Sequence, residues 1–123
     1  YVSILRLGPC LFVTAPPELH DTEARALRDA VAKRLAATDD VEALVVDVST
    51  LEIVDSYTAK VLQETASVAR SFGARSVIVG LRAGVAATLV DLGIDLEGIE
   101  TALSLERALQ KLGLKVVRSA AGP

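Results

Sequence analysis

The chain is poor in the side chains that most often carry chemistry. Among its 123 residues there is one histidine, His20, and one cysteine, Cys10, with no tryptophan and no methionine. With so small a stock, neither a catalytic triad nor a Cys/His zinc cluster is expected within one chain. One cysteine also excludes an internal disulfide framework and suggests a reducing compartment, with the cytoplasm as the expected address. Aromatics are limited to two tyrosines and two phenylalanines while 51% of the residues are apolar, so the core must be aliphatic. Cations are outnumbered, 13 Lys and Arg against 16 Asp and Glu, for a formal net charge of −3. That balance argues against nucleic acid as a partner, because sequence-independent binding needs clustered Lys and Arg to displace counterions. No apolar run approaches the ~20 residues of a membrane span, and the first residues lack a signal-peptide layout. A glycine-rich phosphate loop is missing too: Gly80-Leu81-Arg82-Ala83-Gly84 matches neither common fingerprint. Asp47, Glu52 and Asp55 are close enough in sequence to suggest Mg²⁺, but carboxylates are ordinary in loops beside strands. No cofactor, no metal and no enzymatic activity are expected.

What is present is an alternation of short apolar runs and amphipathic stretches. The length suits one compact domain, read here as residues 1–113, followed by a patternless C-terminal tail, 114–123. Val2 to Leu7 and Cys10 to Thr14 read as strands, and the Gly8-Pro9 turn between them is too short for anything but an antiparallel hairpin. Ala15-Pro16-Pro17 stops the second strand, and the second proline with Glu18 suits a first helical turn. That helix is expected to run to about Ala37, with Ala24, Leu27, Val31 and Leu35 inward. Ala43 to Val48 is an apolar run that fits a strand covered on both faces. A helix from about Ser56 follows, with Val61, Leu62, Thr65, Ala66, Ala69 and Phe72 as its apolar stripe and Gly73 as its terminal cap. Arg75 to Gly80 is a strand, Ala83 to Leu92 a helix with Val85, Leu89 and Leu92 inward, and Gly98 to Ala102 a brief strand. Ser104 caps a last helix whose stripe is Leu105, Ala108, Leu109 and Leu112. The order ββαβαβαβα predicts an α/β fold: a mixed, mostly parallel five-stranded sheet with an N-terminal β-hairpin and about four helices.

Sites in such sheets gather in the loops after the strands' carboxyl ends, and Asp55-Ser56 lies in one of them. Spacing leaves two roles open for Ser56. It can be a plain helix cap, as most serines at such positions are, or an exposed nucleophile offered to a kinase. Asp55 reads as a cap or turn residue, His20 as a solvated residue in a first helical turn, and Cys10 as a small core residue. Thr88 reads as a hydroxyl bonded back to a carbonyl one turn earlier.

The string Val54-Asp55-Ser56-Tyr57-Thr58-Ala59-Lys60-Val61-Leu62 resembles the STAS domain of anti-sigma-factor antagonists. A second stretch narrows the likeness to the stressosome branch. It comprises Gly80-Leu81-Arg82, Val85 to Ile94 and Leu96 to Leu103, and the chain is similar there to the small, single-domain RsbS type. The resemblance covers about Ile4 to Leu112 and implies a non-catalytic protein with the STAS fold. It implies co-assembly with larger, RsbR-like sensory STAS paralogues into a hollow particle that sequesters an RsbT-like serine/threonine kinase. The kinase would phosphorylate Ser56 and leave, and a separate phosphatase would reset the serine. The contact with the kinase would involve Asp55, Ser56, Tyr57, Thr58 and Lys60; Tyr57 stands where phenylalanine is usual. Thr88 matches a second phosphosite of the sensory paralogues. A homodimer is compatible with this picture. Two alternatives are a free-standing antagonist that binds an anti-sigma kinase one-to-one, and a small-molecule or nucleotide-binding module.

Overall fold

The structure, a computed structural model, describes residues 3–94 and 98–114. Its elements run β1 (Ile4–Leu7), β2 (Cys10–Thr14), α1 (Asp21–Ala37), β3 (Ala43–Asp47), α2 (Ser56–Ser71), β4 (Arg75–Val79), α3 (Ala83–Asp91), β5 (Glu100–Ala102) and α4 (Leu105–Lys111). The strands form one sheet in the order β1-β2-β3-β4-β5. Only β1–β2 is antiparallel; the other three pairings are parallel. The expected order and the mixed sheet are both observed.

Two aliphatic cores lie on opposite faces of this sheet. The larger joins Leu11, Val13, Leu44, Val46 and Ile78 to Leu27, Val31, Val61 and Leu89 of α1, α2 and α3. The smaller joins Val45, Val77 and Val79 to Ala108 of α4. Alternate residues of β3 thus serve opposite cores, which is why four consecutive positions, Ala43 to Val46, are all buried. A fully buried side chain of this size contributes about 1.5–3 kcal/mol. The inner face expected for α1, Ala24, Leu27, Val31 and Leu35, is the buried one.

Several boundaries differ from the sequence reading. Helix α1 starts at Asp21, not near Pro17, because Pro16 to His20 is used as a connection that brings Leu19 into the core. Phe72 and Leu92, expected to face inward, are 50% and 39% exposed. Each is the C-cap residue of its helix, where the chain turns away from the sheet. In α4 only Ala108 is fully buried, while Leu105, Leu109 and Leu112 are half-buried. Val48 and Gly80 fall just beyond their strands, and β5 begins at Glu100 instead of Gly98. Val2, Leu96, Glu97 and the tail from Lys115 onward lie outside the described residues.

Candidate functional site

The β3–α2 connection is held at both its ends and its middle. At the strand end, the Asp47 carboxylate accepts the Ser49 N–H at 2.8 Å. Leu51 and Val54 point into the core and leave Glu52 and Ile53 exposed between them. Three bonds then tie the connection to the segment before α1. The Thr50 hydroxyl donates to the Ala15 carbonyl at 2.9 Å. The Glu52 N–H donates to Pro17 O at 3.2 Å, and the buried Thr58 hydroxyl to Leu19 O at 3.0 Å. A loop with this many fixed points presents its exposed residues in one arrangement.

Helix α2 opens at the far end of that loop. Asp55 is its N-cap, in extended conformation, and its carboxylate accepts the Thr58 N–H at 2.7 Å. This hydrogen bond, from a backbone donor that has no partner inside the helix, holds the Asp55 carboxyl below its usual range. Ser56 is therefore the first helical residue and not the cap. Its side chain is exposed, and among the described residues its hydroxyl takes part in no hydrogen bond. The structure thus separates the two roles that spacing left open: Asp55 secures the helix, and the neighbouring hydroxyl stays at the surface.

Replacing Asp55 by alanine removes this cap and should cost about 1 kcal/mol. Asp55→Asn retains a good cap but loses the titration. Because the folded carboxyl is lowered, its ionic contribution is complete above the unfolded value, near pH 3.8, and is lost as pH falls through the folded one. Urea melts of the wild type and Asp55→Asn should therefore converge as pH is lowered from 7 to below 3.8, whereas a constant gap would deny the carboxylate this role.

The remaining expected contact residues differ in what they present. Tyr57 is half-buried against the core, with its hydroxyl 3.5 Å from an Arg25 guanidinium nitrogen. Lys60 is exposed one turn beyond Ser56. Thr58, expected among the contact residues, has only 1% of its surface exposed; it is a clamp and offers no side chain to a partner. A cleft of about 200 Å³ beside the helix start is lined by Glu18, Leu19, His20, Asp21, Ile53, Asp55 and Thr58. Four of these seven are carboxylic or imidazole groups with Glu18 3.3 Å from His20, so the cleft offers no cationic cradle for a phosphate.

Other singled-out residues sit apart from this point. His20 is exposed but, expected inside the first turn, is instead the N-cap residue of α1, one position before the helix begins at Asp21. Cys10 is buried, and burial pushes its thiol up. The Thr88 hydroxyl donates back to Gly84 O at 2.9 Å. Among the described residues no three His, Cys, Asp or Glu side chains group as metal ligands, so Asp47, Glu52 and Asp55 are not brought together. The clamp of Thr50 on Ala15 and of Thr58 on Leu19 has no local signal in the sequence, since the partners are 35 and 39 residues apart.

The class of protein defined here is a small mixed-sheet α/β domain that displays a fixed, exposed hydroxyl at a helix start. The chain belongs to the STAS domain family, whose model matches residues 1–111. Its likeness within the family is to stressosome proteins. A serine-to-glutamate variant of RsbS from Moorella thermoacetica is 32% identical, with a TM-score of 0.81 over 91% of this chain and 94% of that one. A component of a solved structure of the molecular architecture of the stressosome is 33% identical, with a TM-score of 0.79 over 90% and 96%. The RsbT co-antagonist protein RsbRD of Bacillus subtilis is 29% identical over 99 residues, 80% of this chain. The chain spans about a third of that relative, 35% of its length. Among the described residues no helix is long and apolar enough to cross a membrane.

Proposed function

We propose that the chain is a non-catalytic, cytoplasmic stressosome component that holds an RsbT-like serine/threonine kinase and releases it when Ser56 is phosphorylated. The observation that carries this reading is the exposed Ser56 hydroxyl, left free because Asp55 caps the helix. Two full-length likenesses above 30% identity, one to RsbS and one to a stressosome component, favour this role over a free-standing antagonist. The partners are RsbR-like STAS paralogues in a large assembly and a phosphatase that resets the serine. The kinase contacts Asp55, Ser56, Tyr57 and Lys60. The chain is read as a single domain over residues 1–113 with 114–123 as a tail, although the Leu114 N–H still bonds back to Leu109 O.

Release follows from electrostatics. A phosphoserine adds about −1.5 to −2 charges, and the helix start tolerates them by about 0.3–1 kcal/mol. The fold therefore survives modification. A partner docked flat on this surface must desolvate the dianion beside Asp55, which costs several kcal/mol unless arginine pairs it. The test is a reconstitution of the chain with RsbR-like paralogues and an RsbT-like kinase, followed by size exclusion before and after ATP. Co-elution of the kinase in a large particle, lost after ATP, supports the proposal. A one-to-one complex with the kinase and no large particle would favour the free-standing antagonist.

A further inference from the structure

Ser56 and Lys60 are one turn apart on α2, and both are exposed, so they share one outer face of the helix. Helical side chains lean towards the N-terminus, which sets the Lys60 stem over the turn that holds Ser56. The other cation of α2, Arg70, is about 20 Å along the axis from Ser56 and donates to Ser67 Oγ at 3.3 Å. Arg25 of α1 is turned to the Tyr57 hydroxyl. We infer that Lys60 is the receiver of the phosphoryl group on Ser56: its ammonium pairs with the phosphoserine of the same chain and is thereby withdrawn from the surface offered to the kinase. The inference rests on the reading of Ser56 as the phosphosite.

The charges around Lys60 leave it available. Its anionic neighbour on the same face is Glu64, one turn further on. That carboxylate is taken, because Glu64 Oε1 accepts from Arg28 Nη1 of α1 at 3.2 Å. On the other side, the Asp55 carboxylate is held on the Thr58 N–H at 2.7 Å. Among the described residues Lys60 itself makes no ion pair or hydrogen bond. Order along the helix also matters: an anion one turn before a lysine is better placed than one a turn after it. Phosphoserine at position 56 would fill the favoured place, and Glu64 stands in the poorer one.

The pairing is ionic, with no covalent step beyond the phosphoserine itself. It alters the start of α2 in two ways at once. Negative charge appears at Ser56, and the positive charge of Lys60 is drawn onto it. A face of mixed sign becomes an acidic one, with the exposed Glu52 and the capping Asp55 beside it. A partner that met an ammonium there before modification meets none after it. An exposed pair of this kind is weak and screened by salt, so the phosphoryl group stays open to a phosphatase.

The test encodes phosphoserine at position 56 of the full chain during translation and follows the phosphate by phosphorus NMR as pH is varied. A phosphoserine loses its second proton at about pH 6. Lys60 favours the dianion, so Lys60→Gln should raise that midpoint by about 0.2–0.4 of a pH unit. Lys60→Arg should stay at the wild-type value, and the difference should fade in about 1 M salt. Glu52, Asp55 and the helix start act alike in both proteins and cancel. Lys33→Gln, which removes an exposed cation towards the far end of α1, should leave the midpoint in place. Coupling is reciprocal, so an amine-acetylating reagent should modify Lys60 about twofold more slowly in the phosphorylated chain than in the unmodified one. Equal midpoints in Lys60→Gln and wild type, or an equal rise in Lys33→Gln, would overturn the inference. Because the phosphoserine is installed without a kinase, absence of the shift removes the role of Lys60 alone, whereas a kinase that leaves Ser56 unmodified removes the reading beneath it.

Discussion

Replacing Ser56 by alanine is expected to abolish phosphoryl transfer to the chain and to leave the kinase bound after ATP is added. The fold should be indifferent to the change. Ser56 is exposed and makes no cap, so its removal falls within the ~0.5 kcal/mol of an ordinary surface substitution. Ser56→Asp should act in the opposite direction. It places a permanent negative charge beside Asp55, on the surface the kinase covers. Burying an unpaired charge at an interface costs about 2–5 kcal/mol. Even the lower figure is a loss of roughly 30-fold in affinity. The melting temperature should stay nearly unchanged, since a negative side chain is welcome in the first turn of a helix. Titration calorimetry of the three proteins with the kinase reads the affinities directly. Equal affinity of the aspartate variant and the wild type would reject release by charge.

The second large effect is on the fold that positions this surface. Gly80 follows β4 with φ at +75°, a conformation that side chains rarely adopt. Its N–H donates to Ala102 O at 3.0 Å, tying it to β5. A Cβ added there would lie 2.6 Å from Ser49 Cβ and 3.0 Å from Ser49 Cα. Ser49 belongs to the connection that leads to Ser56, and its backbone is already fixed by Asp47. The clash is with a short side chain and main chain, so no flexible tip can move aside. Left-handed strain of about 1–2 kcal/mol and overpacking of about 1–3 kcal/mol add in the same direction. Gly80→Ala should therefore destabilise the chain by roughly 2–5 kcal/mol, visible as a large drop in the urea midpoint. Gly84→Ala makes a useful contrast, because a Cβ there meets nothing within 4 Å. If both substitutions cost the same, the close approach of the two loops has no energetic weight.

These two predictions differ in how much of their basis could be read from the sequence. The strand–helix alternation was legible because each buried strand is a short apolar run and each helix keeps a 3.6-residue stripe. The inner face of α1 and the hairpin at Gly8-Pro9 follow directly from that patterning. Ser56 was legible as a candidate by its place after β3, but its role was not. Both Asp55 and Ser56 are good capping types, and only the geometry assigns the cap to Asp55. Ends of helices were read less well. Phe72 and Leu92 continue an apolar spacing past the point where the chain turns, so periodicity assigned them to the interior and the turn exposed them. The clamp of Thr50 and Thr58 on Ala15 and Leu19, and the approach of Gly80 to Ser49, join residues more than 30 positions apart. No local pattern reports such contacts; they exist only once the parallel sheet brings successive loops to one edge.

The most direct measurement is peptide mapping by tandem mass spectrometry after the chain is incubated with ATP and an RsbT-like kinase. A single phosphoryl group on the Ser56 oxygen, absent from the alanine variant, is the result the account predicts. An unmodified Ser56 with the phosphoryl group on Thr88 or elsewhere, or a chain that takes up none, would contradict it.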